Sequence, residues 1–155
     1  MRNEYNSAKA ISVDPKYRKP YINACALFDR LDEHGKMMKY MEELKTNFSQ
    51  SSKALNMVTA LYNNFPEKNE EMEENFDRVK SIDPNNLLNI YNQAIYWYTQ
   101  NELDRSIQFF TRIVEDNFLK TKKTHPLLIF SELHISILLE RQSQINEARK
   151  RLINV

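Results

Sequence analysis

Glycine occurs once in these 155 residues, at Gly35. Tight strand turns and phosphate-cradling loops draw on glycine, which enters positive φ freely and lets backbone approach a ligand closely. Neither a GxGxxG turn nor a P-loop can be written with one glycine, and a sheet-rich fold is disfavoured. The chain is instead rich in Leu, Glu, Lys, Asn and Gln, which favours helices throughout. Pro15, Pro20, Pro66, Pro84 and Pro126 all fall at the edges of helical patterns, where a missing N–H is tolerated.

Between the prolines, apolar residues recur at helical spacing. Tyr21, Ala24, Cys25 and Phe28 form one stripe, and Met37, Tyr40, Met41 and Leu44 the next. Leu55, Val58, Thr59 and Tyr62 follow, then Met72, Phe76 and Val79. Ile90, Ala94 and Trp97 precede Leu103, Ser106, Ile107, Phe110 and Ile113. The pattern predicts a short first helix over about 3–12 and seven full helices, the last two over about 126–140 and 144–155. Trp97 is expected in the core.

Two four-residue phrases repeat: "SVDP" at 12–15 and "SIDP" at 81–84, 69 residues apart. That distance is two periods of about 34 with one residue inserted near Pro66. A period of this size marks a two-helix unit stacked repeatedly. The units fall at 1–17 (partial), 18–51, 52–86, 87–117 and 129–155.

The residues at matching places within these units carry a resemblance. In the unit at 87–117 they are Ile90, Gln93, Ala94, Trp97, Ser106 and Phe110. In the first full unit they are Tyr21, Ala24, Cys25, Phe28, Met37 and Met41, and in the second Leu55, Val58, Thr59, Tyr62, Met72, Phe76 and Pro84. Ile135, Ser136, Leu139, Ala148 and Leu152 fit the last. This pattern resembles the tetratricopeptide repeat family, although Gln93 stands where Leu is usual and Glu132 where Trp is usual. The resemblance implies an all-α fold: a right-handed superhelical stack of antiparallel helix pairs, an α-solenoid of about 3.5–4 units. Within it, Asp-Pro ends the second helix of a unit. The segment before Pro15 then looks like a second helix without its first, so the chain is expected to be a piece of a longer array.

Catalytic chemistry is not prompted by the residues. His34, His125 and His134 form no HExxH or Cys/His pair at ligand spacing, so no metal or other cofactor is expected. Cys25 reads as core, and a lone cysteine suits a reducing compartment. With no apolar leader core and no span-length apolar window, a cytoplasmic location and no membrane insertion are expected. A net charge of +1 disfavours nucleic acid as a partner. The acidic stretch at 67–77 reads as a solvated helix face, and the basic stretches at 120–125 and 149–151 as a loop and an exposed face.

The resemblance implies a concave surface lined by the first helix of each unit. By position, its binding residues would be Asn23, Arg30, Asn56, Met57, Tyr91, Asn92, Ile95, Tyr98, Leu133 and His134. Asn23 and Asn92 hold places where family members hydrogen-bond a ligand's backbone. The cationic clamp with which some relatives grip terminal carboxylates is absent, its places holding Ile22, Ala26, Met57, Leu88 and Asn92. Tyr91, Asn92, Ile95 and Tyr98 are expected at the centre. The expected function is a non-catalytic module binding a peptide, helix or subunit, with self-association as a variant of the same use. The alternatives are a peptide-sensing regulatory domain of a larger protein and, further off, an RNA-binding helical-repeat protein.

Overall fold

A computed structural model describes residues 2–116, 119, 121 and 125–153. Among them are eight α-helices and no strand. The helices are α1 (Arg2–Val13), α2 (Arg18–Arg30), α3 (His34–Asn47), α4 (Ser52–Tyr62), α5 (Asn69–Ile82), α6 (Leu87–Thr99), α7 (Leu103–Val114) and α8 (Pro126–Ile153). A 3-10 turn at Pro66–Lys68 joins α4 to α5. The chain divides into two compact units, residues 1–86 and 87–155. In the first, α1 packs on α2, α2 on α3, α3 on α4 and α4 on α5; in the second, α6 packs on α7 and α7 on α8.

The apolar stripes make these contacts. In the first unit Ala24, Cys25, Phe28, Met37, Met41, Leu44, Leu55, Val58 and Tyr62 are fully buried. Thr59 is buried with them, its hydroxyl donating to the Leu55 carbonyl at 2.9 Å, so the polar group costs nothing in desolvation. In the second unit the core is built on Ala94, Phe110, Ile113, Leu119 and Leu138.

The corners repeat as the sequence does, at an offset of 69. At the first Asp-Pro, the Asp14 amide donates to the Ala10 carbonyl at 3.0 Å, and Tyr17 N–H donates to the Asp14 carbonyl at 3.1 Å. At the second, Asp83 N–H donates to Val79 at 2.8 Å and Asn86 N–H to Asp83 at 3.1 Å. Asp83 sits at φ −144°, ψ 88°, because the proline ring behind it excludes the helical region. The α2–α3 and α6–α7 turns match too. Glu33 N–H reaches back to the Phe28 carbonyl and Glu102 N–H to that of Trp97, both at 2.9 Å. The intervening Asp32 and Asn101 are left-handed, at φ 57° and 62°. This is the glycine-type helix stop, closed here by the two residue types that best tolerate that conformation after glycine. The middle hairpin differs. Asn63 ends α4 in the right-handed region and the 3-10 turn follows, which accommodates the residue inserted near Pro66.

Two expectations are corrected. The helices expected at 126–140 and 144–155 are one helix, Pro126–Ile153. No proline, glycine or Asp-Pro stands between 140 and 147, and the Arg, Gln, Ile and Glu there propagate a helix. The unit expected at 129–155 is therefore no helix pair; the side chains of Ala148 and Leu152 lie outside the described residues. Trp97 is only half-buried, and its neighbour Tyr96 is buried instead. Near the C-terminal end of α6 the indole is covered on one face by the Arg105 guanidinium, 4.6 Å from the ring centroid.

Candidate functional site

The core stripe of α2 leaves its opposite face to α1. Lys19, Asn23, Ala26 and Arg30 follow one another at helical spacing on that face, and Asn6 and Ala10 of α1 stand opposite. Between them lies a cleft of about 800 Å³. Leu27 and Pro20 line its wall, with Tyr17 and Leu31, each about half exposed, also on its rim. Two small side chains, Ala10 and Ala26, leave the space open. Its polar side chains are those of Asn6, Asn23, Ser7, Tyr17, Lys19 and Arg30, and no Asp or Glu lines it. The Arg30 Nε donates to the Ala26 carbonyl at 3.2 Å, within the same helix.

Of the ten candidate residues, the structure brings Asn23 and Arg30 together in this cleft. Asn56 is elsewhere on its unit and 2% exposed. Its amide Nδ2 donates to Asn86 Oδ1 at 2.9 Å, so it ties the second Asp-Pro corner rather than facing a ligand. Met57 beside it is half-buried.

The second unit holds the other six, and the chain itself covers most of them. Asn92 is 4% exposed, which corrects the expectation that its amide is offered to a ligand. Tyr91, Ile95 and Tyr98 pack against the unit's core. The Tyr91 ring stands edge-on to Phe110 at 5.5 Å and to His134 at 6.0 Å, and the His134 ring lies over Phe110 at 4.8 Å. Burial holds the Tyr91 phenol above its ordinary pKa. The His134 Nδ1 is 2.6 Å from the Phe130 carbonyl, which makes that nitrogen the donor. The Arg141 guanidinium covers Tyr98 at 5.7 Å and donates to Asn101 Oδ1 at 3.1 Å. Leu133 is different: with Ile129, Phe130 and Ile137 it forms a half-exposed apolar stripe on α8, away from the side that meets α7.

The remaining reactive groups have structural roles. Cys25 is fully buried, and burial pushes its thiol up to about 12, which leaves no thiolate at neutral pH. His34 meets Asp32 at 2.9 Å on the surface. Glu70, Glu73, Glu74 and Asp77 are exposed along α5, as a solvated face requires, and Glu71 pairs with Lys68 at 2.7 Å. Among the described residues no cluster of His, Cys, Asp and Glu could hold a metal ion, and no helix is long and apolar enough to cross a membrane. Most of the basic stretch at 120–125, and the side chains of 149–151, lie outside the described residues.

Sequence reasoning missed the α1 wall of the cleft. The signal was available in Ala10 and Ala26, small residues on facing helices, but only the packing of α1 on α2 pairs them. It also missed Asn75, fully buried on α5 with neither side-chain polar atom hydrogen-bonded. No protein-family model matches the chain, and no curated protein matches it.

Proposed function

We propose that this chain is a non-catalytic protein-interaction module of tetratricopeptide-repeat type, a right-handed α-solenoid that binds an extended peptide along α2. The observation that carries the reading is the α1/α2 cleft: an open trough beside a helix whose other face is core, lined by Asn6 and Asn23. A carboxamide both donates and accepts, which suits the alternating N–H and C=O groups of a peptide backbone. The duplicated corners at an offset of 69 support the repeat reading, because one backbone solution recurs wherever the sequence phrase does.

A displayed library of random peptides tests it. Peptides should be enriched, and they should be lost on Asn23→Ala with Arg30→Ala but kept on Lys80→Ala, an exposed position on α5. Failure to enrich any peptide would remove the function. Enrichment indifferent to the cleft variants would remove the site.

A further inference from the structure

Helix α8 has two apolar faces, and its own unit uses one. Leu128, Ser131 and Leu138 are buried, with Leu127, Ile135 and Ile145 packed on the unit's core. On the opposite side Ile129, Phe130, Leu133 and Ile137 are exposed by 45%, 50%, 53% and 47%. Their spacing places them in one stripe of the helix. A contiguous exposed stripe of large apolar side chains marks a contact surface.

The order of residues along the stripe points to its cover. Ile129 stands four positions before Leu133 and Ile137 four after it, about 6 Å along the axis in each direction. A second α8 laid antiparallel, with Leu133 on a two-fold axis, sets Leu133 against Leu133. The same operation brings Ile129 of each copy level with Ile137 of the other. The stripe is thus complementary to itself, as an isologous contact requires.

Charge selects the same direction. Glu140 lies seven positions after Leu133, and Pro126, the first residue of α8, lies seven before it. The axis at Leu133 therefore sets each Glu140 level with the N-terminal end of the other copy's helix. That end is electropositive. Its first turn holds no acidic residue, and it is capped by the His125 ring, whose Nδ1 accepts from the Leu127 N–H at 3.3 Å. Glu140 is exposed and so able to reach it. A parallel pair would instead set Glu140 beside Glu140, two like charges.

We infer that the outer face of α8 is a self-association surface, on which two copies of this chain pair antiparallel about Leu133. This goes beyond the peptide-binding reading and uses none of the cleft residues. The stripe is short, so the contact belongs to the small end of specific interfaces, below about 1,200 Å² in total, and the dimer is concentration-dependent.

Analytical ultracentrifugation of the full chain, up to about 0.5 mM, tests it. A monomer–dimer equilibrium is expected. Leu133→Glu with Ile137→Glu should leave a monomer with an unchanged melting curve, and Leu133→Gln decides if that pair does not fold. Leu139→Glu, at an exposed position of α8 off the stripe, should leave the dimer intact. Glu140→Lys should weaken it about fivefold, since two helix-end contacts are lost. Direction is read by oxidative cross-linking, for which the buried Cys25 gives no background. Leu133→Cys should cross-link to itself, and Ile129→Cys to Ile137→Cys rather than to itself. A chain monomeric throughout would overturn the inference and leave the stripe to a different protein. A dimer that survives the stripe variants, or is lost equally in Leu139→Glu, would overturn the surface. Ile129→Cys cross-linking to itself as readily as Leu133→Cys, or a dimer indifferent to Glu140→Lys, would overturn the antiparallel alignment.

Discussion

The Asn56 carboxamide donates to Asn86 Oδ1 at 2.9 Å, and the Asn86 amide donates in turn to Asp83 Oδ2 at 2.8 Å. A buried residue in the middle of α4 thereby holds the corner that ends α5. The Asp-Pro phrase stops a helix locally, and a side chain 30 residues upstream hydrogen-bonds the turn that follows it.

Asn86→Ala should destabilise the protein by about 1–3 kcal/mol, because it strips a partner from a buried amide. Asn56→Leu removes the buried polar group itself, so Asn56→Leu with Asn86→Ala should cost less than the sum of the two single changes. Urea midpoints of the three variants measure this. Strict additivity would mean the two side chains are not coupled.

Asn75 is the opposite case. It is fully buried on α5, and neither its Nδ2 nor its Oδ1 has a hydrogen bond. Leaving such a group unmade costs about 1–3 kcal/mol. Asn75→Leu keeps nearly the same shape and should raise the urea midpoint. A lowered midpoint would show that a bridging water holds the amide.

Gly35 lies in the first turn of α3, and a Cβ built there meets nothing within 4 Å. Its φ is not positive, so no strain opposes a side chain. Gly35→Ala should stabilise by about 0.4–1 kcal/mol, by narrowing the unfolded ensemble. A fall in melting temperature would place Gly35 outside the helix.

Burial raises the thiol of Cys25 from an ordinary 9.0 to about 12, and also raises the phenols of Tyr21 and Tyr62. A group whose pKa is higher folded than unfolded stabilises fully below its unfolded value and loses that contribution as pH rises towards the folded one. Stability should therefore fall from about pH 9 to 12, at up to about 1.4 kcal/mol per pH unit for each proton involved. Cys25→Ala should remove the thiol's share of the slope. In the native state the thiol should resist iodoacetamide at pH 8 and react at once in urea.

Much of the fold was legible because it is periodic and local. The stripe Tyr21, Ala24, Cys25, Phe28 is buried as its spacing requires, and the 69-residue echo returns as matched hydrogen bonds at Asp14 and Asp83. The errors came where no local signal existed. Nothing between 140 and 147 stops a helix, yet two helices were expected there because the residues change from apolar to basic. Trp97 was expected inside because it is large and in phase, but Tyr96 beside it takes the buried place and Arg105 covers the indole.

The candidate site was less legible, for a reason of a different kind. The resemblance to the repeat family, read position by position, put Asn23, Arg30, Asn56 and Asn92 on equivalent faces of successive helices. Which of those faces stays open is decided by the element packed upon it. Asn56 is taken by a corner, the Tyr91 and Tyr98 side of α6 by α8, and only Asn23 and Arg30 keep a cleft, because α1 approaches through Ala10 rather than a bulky side chain. Periodicity is a property of neighbours in the chain and survives in the sequence. Exposure depends on residues far apart in the chain, and it exists only once the helices have packed.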